Sequence, residues 1–122
     1  MILGFKEQFK EPIIKGSKIH TIREDSKHRW QEGKVIHFAT GVRTKNYNQF
    51  KSGKCTGIRH IEIDPITKIV FIIINGTEKK YFTTEGIKIL ALNDGFDSVE
   101  DFWAWFKKPF VGKLIYWTDT KY

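Results

Sequence analysis

The chain reads as an α+β domain, a small mixed β-barrel flanked by short helices, and three observations predict it. Short segments with strand-like alternation or β-branched runs fill the middle of the chain, each bounded by Gly, Pro, Asn or Asp. Helical spacing of apolar residues occurs only near the two ends. The 122 residues, 40% hydrophobic and 15% aromatic, support one core and leave too little chain for two, which makes residues 1–122 a single domain.

Phe5, Phe9 and Ile13 recur at helical spacing, and Gly16 stands where a helix C-terminal glycine belongs. Pro12 fits only the first turn of such a helix. A strand follows from Ile19 to Arg23, and after it Glu24 to Arg29 forms a polar, exposed loop closed by Trp30. The turn at Gln31–Lys34 leads into a strand over Val35–Thr40, with Ile36 and Phe38 facing the core and His37 outward. Gly41 to Gly53 mixes cations, amides and aromatics and reads as one long functional loop. Ile58 to Asp64 alternates as a strand, and Asp64-Pro65 marks a tight turn. The continuous run Ile69 to Ile74 predicts a central strand covered on both faces, closed by a two-residue Asn75-Gly76 hairpin into a strand around Lys79 to Phe82. Ile87, Leu90 and Ala91 give a helix that stops at Asn93-Asp94-Gly95. A further helix starts at Ser98, which resembles a capping box with Asp101 and carries Val99, Phe102, Trp103 and Phe106 on one face up to Pro109. Lys113 to Trp117 supplies the last strand.

Twenty-one Lys and Arg against 14 Asp and Glu leave a formal charge of +7, which favours polyanionic partners such as nucleic acid, whether DNA or RNA. The single Cys55 excludes an internal disulfide and a cysteine-based zinc cluster; it reads as a small buried residue in a reducing, cytoplasmic compartment. No apolar run has the length of a signal peptide or a membrane span, so no membrane partner is expected. The histidines at 20, 28, 37 and 60 form no helical pair at ligand spacing, and the reading includes no metal and no cofactor.

Chemistry concentrates in Gly16-Ser-Lys-Ile-His-Thr-Ile-Arg23, which brings an amine, a hydroxyl and a guanidinium together after a glycine turn. Strand alternation puts Thr21 and Arg23 on one face and Ile22 on the other, while Lys18, on the turn, can swing over Thr21. Such a set can hold an anion or attack an amide; the plainer alternative is a solvated strand edge. Glu85 and Asp94 are the acid candidates, and Asp94 before Gly95 equally suits a turn residue bonded to its own backbone. Arg43, Lys45, Tyr47 and Phe50 set cations beside aromatic rings, a combination that stacks on an unpaired base or merely pins a loop.

Two runs then resemble a known family. Phe9-Lys-Glu-Pro-Ile-Ile-Lys-Gly-Ser-Lys-Ile-His-Thr-Ile-Arg23, followed by Trp30-Gln-Glu-Gly-Lys-Val-Ile36, and Ala91-Leu-Asn-Asp-Gly-Phe-Asp-Ser-Val-Glu-Asp-Phe102 resemble the ASCH family, related to PUA domains, over nearly the whole chain. The resemblance implies a PUA-like β-barrel whose cleft accepts RNA, a nucleotide or a modified nucleoside. Some members are thought to be ribonucleases. A small bacterial subgroup of similar size is known as N(4)-acetylcytidine amidohydrolase, with a Lys, a Thr and a Glu as catalytic residues. The resemblance carries the first two onto Lys18 and Thr21; the glutamate falls nearest Asp94, one methylene shorter. The expected function is binding of RNA or a modified nucleoside in a basic cleft, with Arg23, Arg43, Lys45, Tyr47 and Phe50 as ligand contacts. The alternative is an amidohydrolase in which Thr21 is the nucleophile, Lys18 its base, Asp94 the group that handles the leaving amine or orients water and Arg23 the oxyanion partner.

Overall fold

Two sheets organise the fold in the computed structural model, which describes residues 1–122. The smaller contains β1 (Ile2–Phe5), β3 (Val35–Thr40) and β4 (Asn48–Lys54) in the order β1-β3-β4, with β1 parallel to β3. The larger is antiparallel and contains β2 (His20–Arg23), β5 (Gly57–Asp64), β6 (Ile69–Ile74), β7 (Glu78–Tyr81) and β8 (Phe110–Tyr116), in the order β2-β8-β5-β6-β7. Three short helices accompany them: α1 (Lys10–Lys15), entered through a 3-10 turn at Glu7–Phe9, α2 (Thr84–Asn93) and α3 (Val99–Trp105). The α+β class is as the sequence predicts, but no ladder joins the two sheets, so no closed barrel forms. The edges explain this. Every residue of β7 is exposed and two are lysines, which resist further pairing, while the free edge of β2 opens on the segment that holds Lys18.

One hydrophobic cluster draws on both sheets and all three helices, including Phe38, Ile61, Ile72, Leu114, Ile13, Leu90 and Phe102. Phe38 of β3 meets Trp117 edge-on at 4.9 Å and thereby couples the small sheet to the segment after β8. Cys55 lies in this cluster, and burial pushes its thiol up. The helix ends are those expected: Gly16 closes α1 at φ 84°, and the Ser98 hydroxyl accepts from the Asp101 amide at the start of α3. No helix is long and apolar enough to cross a membrane.

Several local expectations differ from the structure. Phe5 belongs to β1, whose parallel pairing with β3 no short-range pattern announces. The expected loop from Gly41 to Gly53 is a turn only as far as Tyr47; Asn48–Lys54 is a strand, although its side chains are polar and largely exposed, because its backbone pairs with β3 across a bulge at Phe38/Ala39. The Ile69–Ile74 strand is not covered on both faces: Val70 and Ile72 are fully buried, whereas Ile69 is 46% exposed and Phe71 is half-buried, beside Tyr81 and the Lys79 ammonium. The hairpin after it pairs Ile74 with Glu78, so Thr77 joins Asn75 and Gly76 in a three-residue turn. The polar loop after β2 is tied down by Asp25, whose buried carboxylate accepts from the amides of Arg29 and Trp30.

Candidate functional site

The turn out of α1 places Lys18. The amides of Ser17 and Lys18 both return to the Pro12 carbonyl at 3.0 Å, and the Ile19 amide donates to the Asn93 carbonyl at 2.9 Å. This last bond ties the start of β2 to the end of α2, and Asp94 follows directly. Lys18 is 2% exposed. Its ammonium donates to the carbonyls of His20 at 2.8 Å and Asp94 at 2.5 Å, with the Asp94 carboxylate at 3.4 Å. Three aromatic rings, those of Phe9, Phe5 and Trp117, surround the ammonium at 4.8 to 5.9 Å. Burial brings the Lys18 pKa from 10.5 down to about 8; Asp94 opposes the shift and Arg23 adds to it.

Gly95 is required twice over in this arrangement. Its φ of 92° is left-handed, and a Cβ there would lie 2.9 Å from Cδ of Lys18 and 3.1 Å from Cδ1 of Phe9. Gly95→Ala is therefore expected to cost more than about 1 kcal/mol and to displace Lys18. Thermal unfolding reads the first effect, and a change in the Lys18 titration followed by NMR reads the second.

Asp94 does more than close a turn. Its Oδ1 also accepts from Nδ1 of His20 at 3.0 Å, while Nε2 of His20 lies 2.6 Å from the Tyr122 hydroxyl, which in turn accepts from the Asn93 amide group at 3.0 Å. With Nδ1 bearing the proton toward the carboxylate, Nε2 accepts from Tyr122. His20 is fully buried, and burial holds its pKa below the ordinary value against the pull of Asp94. The imidazole is thus neutral and acts as a strut between Asp94 and the end of the chain.

Thr21 and Arg23 share a face, as strand alternation requires, and Nε of Arg23 donates to Oγ1 of Thr21 at 3.1 Å. One terminal nitrogen of Arg23 donates to the Gly4 carbonyl at 2.5 Å, so the guanidinium spans from β2 to β1, with its Cζ 4.9 Å from the Phe5 ring centre. No hydrogen bond joins Lys18 to Thr21; the threonine hydroxyl is engaged by Arg23 alone.

Lys18, Thr21, Arg23 and Asp94 line a cleft of about 270 Å³, with Phe5, Phe9, Phe96, Trp105 and Phe106 as its apolar walls. The sequence motif and the Asp94 segment therefore do converge. Arg43, Lys45, Tyr47 and Phe50 do not line it. Arg43, Lys45 and Tyr47 are exposed on the turn before β4, and pairing of β4 with β3 turns Phe50 toward Phe38, with ring centres 6.4 Å apart. Glu85 is exposed in the first turn of α2 and is not a lining residue either.

Sequence reasoning missed His20, Asn93 and Tyr122, and it missed the aromatic walls. His20 stands inside the motif, but alternation sends it to the face opposite Thr21, where only packing brings it to Asp94. Comparison with family models, with curated proteins and with solved structures finds no match to this chain.

Proposed function

We propose that this cleft binds one nucleoside-type molecule, either free or presented as an unpaired residue of RNA. The observation that carries the reading is the convergence of Lys18, Thr21, Arg23 and Asp94 in the lining of an aromatic-rich cleft of about 270 Å³. That volume is just below the usual range of small-molecule sites, about 300 to 1,000 Å³, and suits a single base with its sugar rather than a duplex. Aromatic walls favour a flat heterocycle, and cationic donors favour its carbonyl or phosphate oxygens. Lys6, at 4.9 Å from the Trp105 ring, adds a cation to the lining, in keeping with the charge of +7. An ASCH-type, PUA-like arrangement is the fold reading that accompanies this proposal, and it rests on the two sequence runs that resemble that family.

A second reading, amide hydrolysis of an N4-acylated cytidine, is favoured by one observation: the Lys18 amine at about 8 lies close to neutral pH. In that chemistry Thr21 Oγ1 would bond to the acyl carbon as its proton passed to Lys18, Arg23 would hold the oxyanion, and the amine would leave with a proton. Water would then release the acyl group from Thr21. Binding is placed first because Thr21 accepts from Arg23 and Lys18 is committed to two carbonyls. Ribonuclease chemistry gains no support from His20, both of whose ring nitrogens are engaged.

Thr21→Val separates the two. For a binding site, titration of nucleosides by NMR should show a loss of about 1 kcal/mol, one hydrogen bond. For a hydrolase, release of cytidine from N4-acetylcytidine, followed by mass spectrometry, should stop altogether. Failure of every nucleoside and single-stranded RNA to perturb the cleft overturns the binding proposal.

A further inference from the structure

The cleft runs along an unpaired strand edge. Thr21, Ile22 and Arg23 all line it, yet the Ile22 side chain belongs to the core cluster on the face opposite Thr21 and Arg23. Three successive strand residues can line one cleft only along the edge, where the backbone itself is presented. β2 pairs with β8 and has no neighbour on its other side.

The hydrogen-bond register identifies which peptide groups face outward. The Trp117 amide donates to the Ile19 carbonyl, and the β2/β8 register pairs His20 with Tyr116 and Arg23 with Lys113. Alternation of bonded and non-bonded pairs then turns the N–H and C=O of Thr21 and Arg23 toward β8, and those of His20 and Ile22 away from it. The His20 carbonyl confirms the direction, since it accepts from Nζ of Lys18, itself a cleft residue. The next outward pair on the same edge is the N–H and C=O of Ile22.

From this we infer that Ile22 reads the ligand through its main chain: its N–H and C=O form a two-point contact with a heterocycle that carries an acceptor next to an N–H donor. The inference rests on the nucleoside reading above and narrows it. All four bases carry that pattern on the edge used in Watson–Crick pairing, where a paired partner masks it, so the site favours unpaired bases. Thr21 and Arg23 then contact the groups around the ring, and the aromatic walls hold its faces.

The test uses cytidine, uridine, adenosine and guanosine as probes with the intact protein, followed by amide NMR. The best-bound nucleoside should shift the Ile22 amide together with the Thr21 and Arg23 resonances and slow its hydrogen exchange. If it is cytidine, N4,N4-dimethylcytidine, which lacks the donor, should bind at least about tenfold more weakly. Ile22→Pro removes the N–H at an edge position that tolerates proline, and Ile22→Ala removes the side chain alone. Proline should weaken binding by about tenfold or more beyond alanine. A nucleoside that shifts Thr21 and Arg23 while leaving the Ile22 amide and its exchange unchanged overturns the main-chain role and leaves the nucleoside site standing. If no nucleoside perturbs any cleft residue, the nucleoside reading falls and this inference with it. Should Ile22→Pro fail to fold, the exchange rate of Ile22 in the unaltered protein decides.

Discussion

Asp94→Asn should destabilise the protein by about 3 to 5 kcal/mol at pH 7, the usual cost of leaving one member of a buried ion pair without its partner. The carboxylate is the only anion bonded to the Lys18 ammonium, which is 2% exposed, and the same oxygen also holds His20. An asparagine keeps the size and one acceptor but supplies no charge. The expected pattern across variants is specific. Lys18→Met in the Asp94→Asn background removes the stranded cation and should recover most of the loss, since a buried pair replaced by neutral groups of similar volume is often no less stable. Lys18→Met alone leaves Asp94 facing His20, removes the repulsion that Lys18 exerts on the imidazolium, and should raise the His20 pKa. Chemical denaturation gives the stabilities, and NMR titration gives the His20 value. If Asp94→Asn costs less than about 1 kcal/mol, the ammonium is not held by this carboxylate.

Stability should rise with pH between 8 and about 10, against the common expectation of a maximum near neutrality. Lys18 is ordinarily protonated up to 10.5, but in the folded chain it releases its proton at about 8. Between these values the unfolded state binds more protons, so raising the pH favours the folded state, by on the order of 3 kcal/mol across the window. Below pH 8 the full cost of burying the ammonium is present. His20 acts in the same sense at lower pH: burial depresses its pKa below 6.5, so stability is lost as the pH falls through 6.5 and the unfolded chain takes up the proton. The rise ends near pH 10, where unfolded tyrosines ionise while burial holds Tyr116 at about 12 and raises Tyr122 as well. Denaturant midpoints at half-unit intervals from pH 6 to 11 would trace the curve. Lys18→Met should flatten the segment from 8 to 10, which separates this residue from the general decline in net charge. An unchanged slope in that variant would mean that Lys18 keeps its proton in the folded state.

Some parts of this structure were legible because a local rule decides them. Gly16 at the end of α1, Ser98 before α3, the Asp64 turn and the core positions Ile36, Phe38, Ile61 and Ile63 follow from capping, turn and alternation chemistry that acts within a few residues. The site motif was legible for the same reason: alternation over Thr21, Ile22 and Arg23 predicts which side chains share a face, and the Arg23–Thr21 hydrogen bond agrees. Other parts were not. β4 carries no alternating pattern, and its polar residues form a strand only because β3 offers a paired edge. Arg43, Lys45, Tyr47 and Phe50 therefore read as part of a functional loop suited to stacking on a base, whereas Phe50 packs on Phe38 and none of the four reaches the cleft.

By itself the sequence determined the mixed α+β class, the order of most elements, the basic charge and the group of an amine, a hydroxyl and a guanidinium around β2, because each depends on composition or on contacts between near neighbours. Only the tertiary structure decided that two sheets form without closing a barrel, that β2 keeps one edge unpaired, and that Asp94 meets both Lys18 and His20 from the far end of α2. Those features depend on which distant segments share a dry interior. Burial, rather than spacing, also sets the protonation of Lys18 and His20, since desolvation is the largest influence on both.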